Sequence, residues 1–510
     1  MILANTLLNA CGINFQLAED VKIDNIQLDS RKILKGGLFL ALKGFNEEGS
    51  QYISSAVKNG AVLVLCDTQV GHANVSVIYV PHLREKIIEI LNVFYGNPLD
   101  KVQVIGVTGT NGKSTVAMLI ASLLKANGEE VTSFGTINNQ VGSEVYAADL
   151  TTPDPVELMK LIQRGVELGC QKVVMEVSSH ALEQNRVKGL PFFRALFTNL
   201  TQDHLDYHLN FEEYYRSKKK LFSYLLPQGK AIINGDSQYG RRLIKEVECE
   251  VLSFSQNLQS QEDSLLLVSA SLTLVATEIV VSYRGNHYRF TSSLIGRINV
   301  ENLLSVIGLG FSLNISPDVI ATGLKDVKVA GRNEVIPLPN GAVAVVDYAH
   351  TPDALERVLK SLKPLIRANL ICLFGCGGDR DKTKRPLMGK VASELSDRVV
   401  VTSDNPRTEK PELIIEDILK GMTQDKYFEV IEERRQAIQR VLNLSQSGDC
   451  VLIAGKGHED YQIIGREKTY FSDREEVLEW IKENPQSKQV DSQSSTRGDV
   501  PRTTGEVHGR

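Results

Sequence analysis

The sequence predicts an α/β protein of several domains, at least one of them a mostly parallel, doubly wound sheet. Three observations lead there. Short β-branched runs alternate with amphipathic stretches from Ala342 to Ala454, and strand–helix alternation favours a parallel sheet with helices on both faces. A glycine-rich turn, Gly109-Thr110-Asn111-Gly112-Lys113-Ser114-Thr115, joins an apolar run to a helical pattern. At 510 residues the chain exceeds what one hydrophobic core organises, so roughly two to four domains are expected.

The first region runs from residue 1 to about 98. Strands are expected at Gly37–Leu42 and Ala61–Cys66, with a helix near Ser54–Asn59. Asn97-Pro98-Leu99-Asp100 breaks the pattern and reads as a linker. The second region opens on Val102–Val107, a β-branched run of the buried-strand kind. The helix after the glycine-rich turn places Val116, Leu119, Ile120, Leu123 and Leu124 on one face and ends at Gly128, a C-cap residue. Val173–Val177 reads as a second buried strand, and residues 264–295 alternate as β structure does. The third region begins near Ala330. Its strands are expected at Ala342–Asp347, Leu370–Phe374, Arg398–Thr402 and Cys450–Ala454. Its helices are expected at Asp353–Leu365, Lys384–Leu395, Pro411–Met422 and Arg434–Leu444. From about residue 485 to Arg510 the chain is polar with few apolar anchors, which predicts a disordered tail.

Composition narrows the function. Hydrophobic residues are 42% and charged residues 23%, ordinary for a globular protein. A net charge of −5 argues against a bulk nucleic-acid binder. No apolar run approaches a membrane span, and Met1–Ile13 lacks the basic start of a signal peptide. Seven cysteines lie scattered without a disulfide or zinc framework, so reduced thiols and a cytoplasmic location are expected.

The glycine-rich turn carries the first chemistry. Strand, turn and helix together make an anion cradle of backbone N–H groups at a helix N-terminus. Lys113 suits the β- and γ-phosphates of ATP, and the Ser114 hydroxyl suits Mg²⁺. The spacing departs from the strict phosphate-loop pattern, whose first glycine would fall on Val107. Glu176 ends the strand Val173–Val177, and an acid there is placed as a second metal ligand. Alone it would be a solvated strand end.

Further segments form an ordered set. They are Asp29-Ser30-Arg31, Thr151-Thr152-Pro153, Glu176-Val177-Ser178-Ser179-His180, Asn199-Leu200 with Asp203-His204-Leu205-Asp206, and Asp347-Tyr348-Ala349-His350-Thr351-Pro352. Gly375–Lys384 reads GCGGDRDKTK, Asp404–Arg407 reads DNPR and Gly455–Glu459 reads GKGHE. Over residues 1–483 this set resembles the Mur ligase family. The resemblance implies three domains: residues 1–98 for the UDP end of one substrate, 99–329 as a central phosphate-loop ATPase-like domain, and 330–484 as a C-terminal Rossmann-like, doubly wound domain for an amino acid. It implies ATP-dependent amide formation through an acyl phosphate, with a UDP-N-acetylmuramoyl-dipeptide and meso-diaminopimelate as the other substrates, and a monomer.

The resemblance also assigns residues. His204 is similar to an additional metal-site histidine. Lys218 aligns with a lysine that the family carbamylates; Lys219 and Lys220 adjoin it, and the spacing to Leu221-Phe222 selects Lys218. Asn299 lies in an adenine-contacting segment, while Arg332, Asp347 and His350 face the nucleotide. At Asn333 the family usually has methionine. For the UDP substrate the implied residues are Leu28, Ser30, Phe45, Asn46, Glu47, Thr151, Thr152, Ser178, Gln184 and Arg186. Phe45-Asn46-Glu47 departs from the usual polar triplet, and Thr151–Asp154 reads equally well as a helix start.

meso-Diaminopimelate differs from L-lysine by a distal carboxylate, so a selective site needs a paired cation. Arg407 follows a strand end, where doubly wound sheets bind ligands, and can grip a carboxylate with two hydrogen bonds. Arg380 is a second candidate; Asp404, Asn405, Pro406, Gly455 and Glu459 complete the expected site. Lysine addition by the same machinery is the nearest competing reading. A folylpolyglutamate synthetase is a second, although that family usually has glycine where Ser114 stands. A nucleotide-dependent switch would leave the substrate-like motifs at both ends unexplained.

Overall fold

The computed structural model describes residues 1–44, 48–69, 74–201, 203, 205–257, 264–423 and 427–485. Phe45, Asn46, Glu47, His204 and residues 486–510 of the expected tail therefore lie outside the described residues.

The N-terminal region builds a four-stranded parallel sheet in the order Asn25–Gln27, Gly37–Ala41, Ala61–Cys66, Ser76–Tyr79. Gly37–Ala41 is buried along its whole length, because both sheet faces are covered, as parallel sheets require. Phe39, Ala41, Val64 and Cys66 face a small core under the short helix Ile53–Lys58. Leu38, Leu40, Leu63 and Leu65 face the other way and join a core that continues into Leu158, Met159 and Ile162 of the central region. The boundary near residue 98 is thus a change of sheet and no break in packing. The expected linker forms a tight helical turn, Pro98–Lys101, with Leu99 buried.

The central region holds an eleven-stranded sheet. Its middle is parallel: Val131–Phe134, Lys172–Glu176, Gln103–Thr108, Phe192–Phe197, Leu225–Asn234 and Glu250–Ser255 pair in that order. The alternating stretch after residue 264 adds Leu265–Leu272, Thr277–Tyr283 and Asn286–Ser292, an antiparallel meander at one edge. The helix Lys113–Ala126 buries the apolar face expected of it, against Ile105, Val107 and Val174 of the sheet and Leu303 and Ile307 of the helix Arg297–Ser312.

The C-terminal region is doubly wound. Its six strands run Glu334–Pro337, Val343–Asp347, Cys450–Ala454, Leu370–Phe374, Arg398–Val401, Phe428–Val430, all parallel except the first pair. One face packs under Pro352–Leu362, Lys384–Leu395 and Pro411–Leu419, the other under Arg434–Leu444 and Asp473–Glu483. Val329 ends the central core and Ile336 starts the C-terminal one. Among the described residues no helix is long and apolar enough to cross a membrane.

Candidate active site

The glycine-rich turn needs glycine at two places. Gly109 has φ +151° and Gly112 has φ +88°. A Cβ on Gly109 would sit 1.9 Å from Thr198 Oγ1, and one on Gly112 would sit 2.4 Å from Asn302 Oδ1. The loop is packed as closely as it is bent. Gly112 caps the helix that starts at Lys113, so the helix N-terminus opens into a cleft of about 460 Å³, an arrangement suited to phosphate.

Lys113 Nζ donates back to the loop carbonyls of Gly109 (3.1 Å) and Thr110 (2.9 Å). Burial pulls its amine below the ordinary lysine value, against the attraction of Glu176. Ser114 Oγ donates to Glu176 Oε2 at 2.9 Å. Glu176 also accepts from the backbone N–H and hydroxyl of Thr136. Its carboxylate is therefore held at the strand end beside Ser114, as expected, and two hard oxygen donors converge there. Thr136 was not anticipated from the sequence; no local pattern marks it.

Of the three adjacent lysines, only Lys218 enters the site. It is 1% exposed, its Nζ donates to Gly109 O at 2.8 Å, and it lies over the Tyr214 ring at 4.5 Å. Burial, then repulsion from Lys113, holds its amine far below the ordinary lysine value. Lys219 pairs with Glu246 and Lys220 with Glu183 on the outer surface. His208 is buried with Nε2 2.9 Å from Ser179 Oγ, a packing role.

The cleft wall brings together most of the remaining nucleotide candidates: Thr110 to Thr115, Asn299, Arg332, Asp347 and His350. Asn299 donates to Ile295 O and accepts from Asn302, so the pair braces the loop from below. Arg332 lies over the Tyr348 ring at 4.5 Å. The Asp347 carboxylate accepts the backbone N–H groups of Asn333 and Ala349, and burial raises its pKa. His350 is exposed at the cleft, with Lys384 Nζ donating to its backbone carbonyl at 2.9 Å. Asn333 takes φ +47°, a left-handed conformation that asparagine tolerates better than methionine.

The UDP-side candidates divide. Thr151, Ser178 and Arg186 line the cleft. Gln184 Oε1 accepts from Arg186 Nε and Nη2 (2.8 and 2.5 Å), so Gln184 orients the guanidinium. Thr152 is fully buried, its hydroxyl donating to Glu176 O, and it stands behind the wall. Asp154 caps the helix Pro155–Glu167, so the segment is also a helix start. Leu28 packs on the core and Ser30 opens a helical turn in the N-terminal sheet region; neither lines the cleft.

The amino-acid candidates gather elsewhere in the C-terminal region. Asp404, Asn405 and Pro406 are buried after their strand. Asn405 Nδ2 donates to Glu459 Oε2 at 3.0 Å. Gly455 sits against Asp404, where a Cβ would lie 3.4 Å from the carboxylate. Arg407 is held in a left-handed conformation (φ +53°) by a backbone bond to Ile463, and its Nη1 donates to Gly378 O at 2.8 Å. Gly377 separates Arg407 from the exposed Arg380. Burial and Asp404 raise the Glu459 pKa.

At the centre of this group is Lys456, missed from the sequence although it sits inside GKGHE. It is completely buried, bonded to Asn405 Oδ1 (3.0 Å) and Tyr461 O (2.6 Å), with Asp404 at 3.4 Å and Glu459 at 3.7 Å. Tyr348 spans the two sites. Its ring meets Arg332 and its hydroxyl points at Glu459, 3.5 Å away.

Three family models match the chain in order: the Mur ligase family catalytic domain at residues 22–95, the Mur ligase middle domain at 107–310, and the Mur ligase glutamate ligase domain at 331–457. A Clostridium tetani protein named UDP-N-acetylmuramoyl-L-alanyl-D-glutamate–2,6-diaminopimelate ligase is 41% identical, over 91% of this chain and 96% of its own. The protein of that name from Gloeobacter violaceus is 42% identical, over 93% and 96%. A solved structure with the same name superposes with a TM-score of 0.71 at 32% identity, covering 95% of this chain and all of the other. The MurF ligase of Thermotoga maritima in complex with ADP shares the fold, with a TM-score of 0.61 at 18% identity, covering 90% of this chain and 97% of the other. By sequence and by fold, the chain belongs to the Mur ligase family.

Proposed function

We propose that this chain is the ADP-forming ligase that joins meso-diaminopimelate to UDP-N-acetylmuramoyl-L-alanyl-D-glutamate in peptidoglycan precursor synthesis. The observation that carries the reading is one arrangement: a phosphate-loop cleft lying beside a charged amino-acid site, bridged by Tyr348, in a chain whose relatives at 41–42% identity bear that name.

The reaction first moves the γ-phosphoryl group of ATP onto the substrate carboxylate, giving an acyl phosphate and ADP. The amine of the incoming amino acid then attacks the acyl carbon. The C–N bond forms, phosphate leaves, and the amine gives up its proton. The protein's task is to hold two anions together and to orient the attack. Lys113, released from the loop carbonyls, is placed to follow the transferring phosphoryl group. Ser114 and Glu176 would hold Mg²⁺, whose charge would screen the phosphates. The buried, charge-depleted Lys218 amine is our candidate for carbamylation, which requires the neutral form. We assign His204, Phe45, Asn46 and Glu47 only as the resemblance implies them. Arg186, oriented by Gln184, suits an acidic group of the UDP substrate.

In the amino-acid site Arg407 would pair with the distal carboxylate, while Asp404 and Glu459 would receive the distal ammonium. L-Lysine lacks that carboxylate and would leave the arginine unpaired. We place the reaction in the cytoplasm, where the seven unpaired cysteines would stay reduced, and propose a monomer, which light scattering would test.

Phosphate release with ATP, Mg²⁺ and the UDP-dipeptide tests the whole reading. Release is expected with meso-diaminopimelate and not with L-lysine, and Arg407→Ala should lose at least roughly tenfold in kcat/KM for diaminopimelate. Equal release with lysine would remove the arginine argument and keep the ligase. No release with either amino acid would remove the ligase reading.

A further inference from the structure

The cleft wall comes from two bodies, and one carboxylate ties them together at the phosphate loop. Asp353 lies in the first turn of the C-terminal helix Pro352–Leu362. Its Oδ2 accepts from Asn111 Nδ2 (3.3 Å) and from Thr201 Oγ1 (3.1 Å), both in the central region. Thr201 Oγ1 also accepts from Asn111 Nδ2 at 3.2 Å, so the three side chains close a triangle. Arg357, one helical turn on, donates to the Asp353 carboxylate and fixes its orientation.

Asn111 is a structural member of the loop. Its backbone N–H donates to Asn199 Oδ1 and its carbonyl accepts from Thr198 Oγ1. It stands immediately before Gly112, the cap of the phosphate-loop helix. Asp353 itself stays out of the cleft wall, while its neighbours Thr351 and Ala354 line it. It therefore reaches the nucleotide site through its partners, Asn111 of the loop and Arg357 of the cleft wall.

We propose that Asp353 is a positioning residue that latches the C-terminal domain onto the phosphate loop, so that ordering of the loop and docking of Arg332 and His350 over the cleft are one event. Domains joined by a polar contact of this kind move relative to one another by default. A latch raises the population of the docked state, and the apparent nucleotide affinity rises in proportion.

The test uses full-length Asp353→Ala and Asp353→Asn. Asp353→Ala should raise the Kd for ADP and the KM for ATP roughly fivefold or more, since a hydrogen-bonded charged acceptor is lost. kcat should fall by less than about threefold, because saturating substrates restore docking. The nucleotide-free radius of gyration from small-angle scattering should increase, with the melting temperature near wild type. Asp353→Asn keeps one acceptor oxygen and should recover most of the ADP affinity. Unchanged ADP affinity and scattering in Asp353→Ala would overturn the proposal. So would a joint fall of kcat and melting temperature with KM unchanged, which would mark a local packing role. The kinetic arm rests on the ligase reading; the ADP and scattering arms do not, so a wild type without turnover would fault that reading alone.

Discussion

The phosphate loop and the proposed amino-acid site each contain a lysine drawn back from solvent, and the two lysines are held in opposite ways. Among the described residues Lys113 Nζ hydrogen-bonds to backbone carbonyls, and burial works against its charge. Lys456, more deeply buried, sits among Asp404, Glu459 and the amide of Asn405. The first is a cation waiting for an anionic ligand. The second is already neutralised by the protein and so organises the site around it. A site for a polyphosphate can be built from main-chain N–H groups and one mobile charge. A site for a zwitterion must present both signs, and those signs must be prevented from collapsing onto each other. In the proposed site Lys456 and the fixed Asn405 amide would serve that purpose, with Glu459 and Arg407 half-buried beside them.

Substituting each lysine with methionine should separate these roles, with the larger structural effect at Lys456. Lys456→Met leaves the buried Asp404 and the half-buried Glu459 without this cation, and losing one partner of a buried ion pair costs about 3–5 kcal/mol. The melting temperature should fall by several degrees, and diaminopimelate binding should weaken. Lys113→Met removes a desolvated cation from beside Lys218 and Arg332. Its melting temperature should hold or rise, while phosphate release falls by roughly a thousandfold, as when a charge-stabilising group is removed from phosphoryl transfer. If calorimetry and the release assay showed the reverse ranking, the contrast between the two lysines would be wrong.

The same contrast explains what could be read from the sequence. The phosphate loop is local: strand, Gly109, Gly112 and helix are contiguous, and their roles follow from backbone geometry alone. The C-terminal strands and helices were legible for the same reason; Leu370–Phe374, Cys450–Ala454, Lys384–Leu395 and Arg434–Leu444 occur at the residues their patterns indicate. The strands Phe192–Phe197 and Leu225–Asn234 were not. The second contains Pro227 and Gly229 and reads as a turn until its neighbours are known. Lys456 was hidden because its partners Asp404 and Asn405 lie 52 and 51 positions earlier. The fully buried pair Arg434–Asp473, which also supports Ala454 O, spans 39 residues. Thr152 looked like a ligand hydroxyl, yet it is used to hold Glu176 O. Only the fold, which brings the bend at Thr152 against the end of the strand Lys172–Glu176, reveals that use.

A titration sharpens the comparison at the junction of the two sites. His458 follows the Lys456 turn, and burial, with repulsion from Arg332, lowers its pKa to about 4. Its ring packs 5.1 Å from that of Tyr348. Between the ordinary value of 6.5 and about 4, the unfolded chain binds the proton and the folded chain does not. Stability therefore rises with pH across that window, and it is lost on acidification at up to about 1.4 kcal/mol per pH unit. His458→Gln should flatten the acid limb of a stability-against-pH curve. An unchanged limb would move the acid sensitivity to other groups.

The smallest effect should come from Asn333→Met, which restores the residue usual in the family. Asn333 Oδ1 is buried with no hydrogen-bond partner among the described residues, so its removal relieves about 1–3 kcal/mol. Methionine at φ +47° would cost about 1–2 kcal/mol, because its Cβ crowds the carbonyl where asparagine is better tolerated. The two terms nearly cancel, and the melting temperature should move by no more than about 2–4 °C. The informative readout is then ADP affinity. Asn333 stands on the cleft wall beside Arg332, in the pocket proposed for the nucleotide. Weaker ADP binding at unchanged stability would make Asn333 a nucleotide contact. Unchanged binding would leave it a tolerated replacement, permitted because the backbone N–H, bonded to Asp347 Oδ2 at 2.7 Å, fixes the turn whatever the side chain.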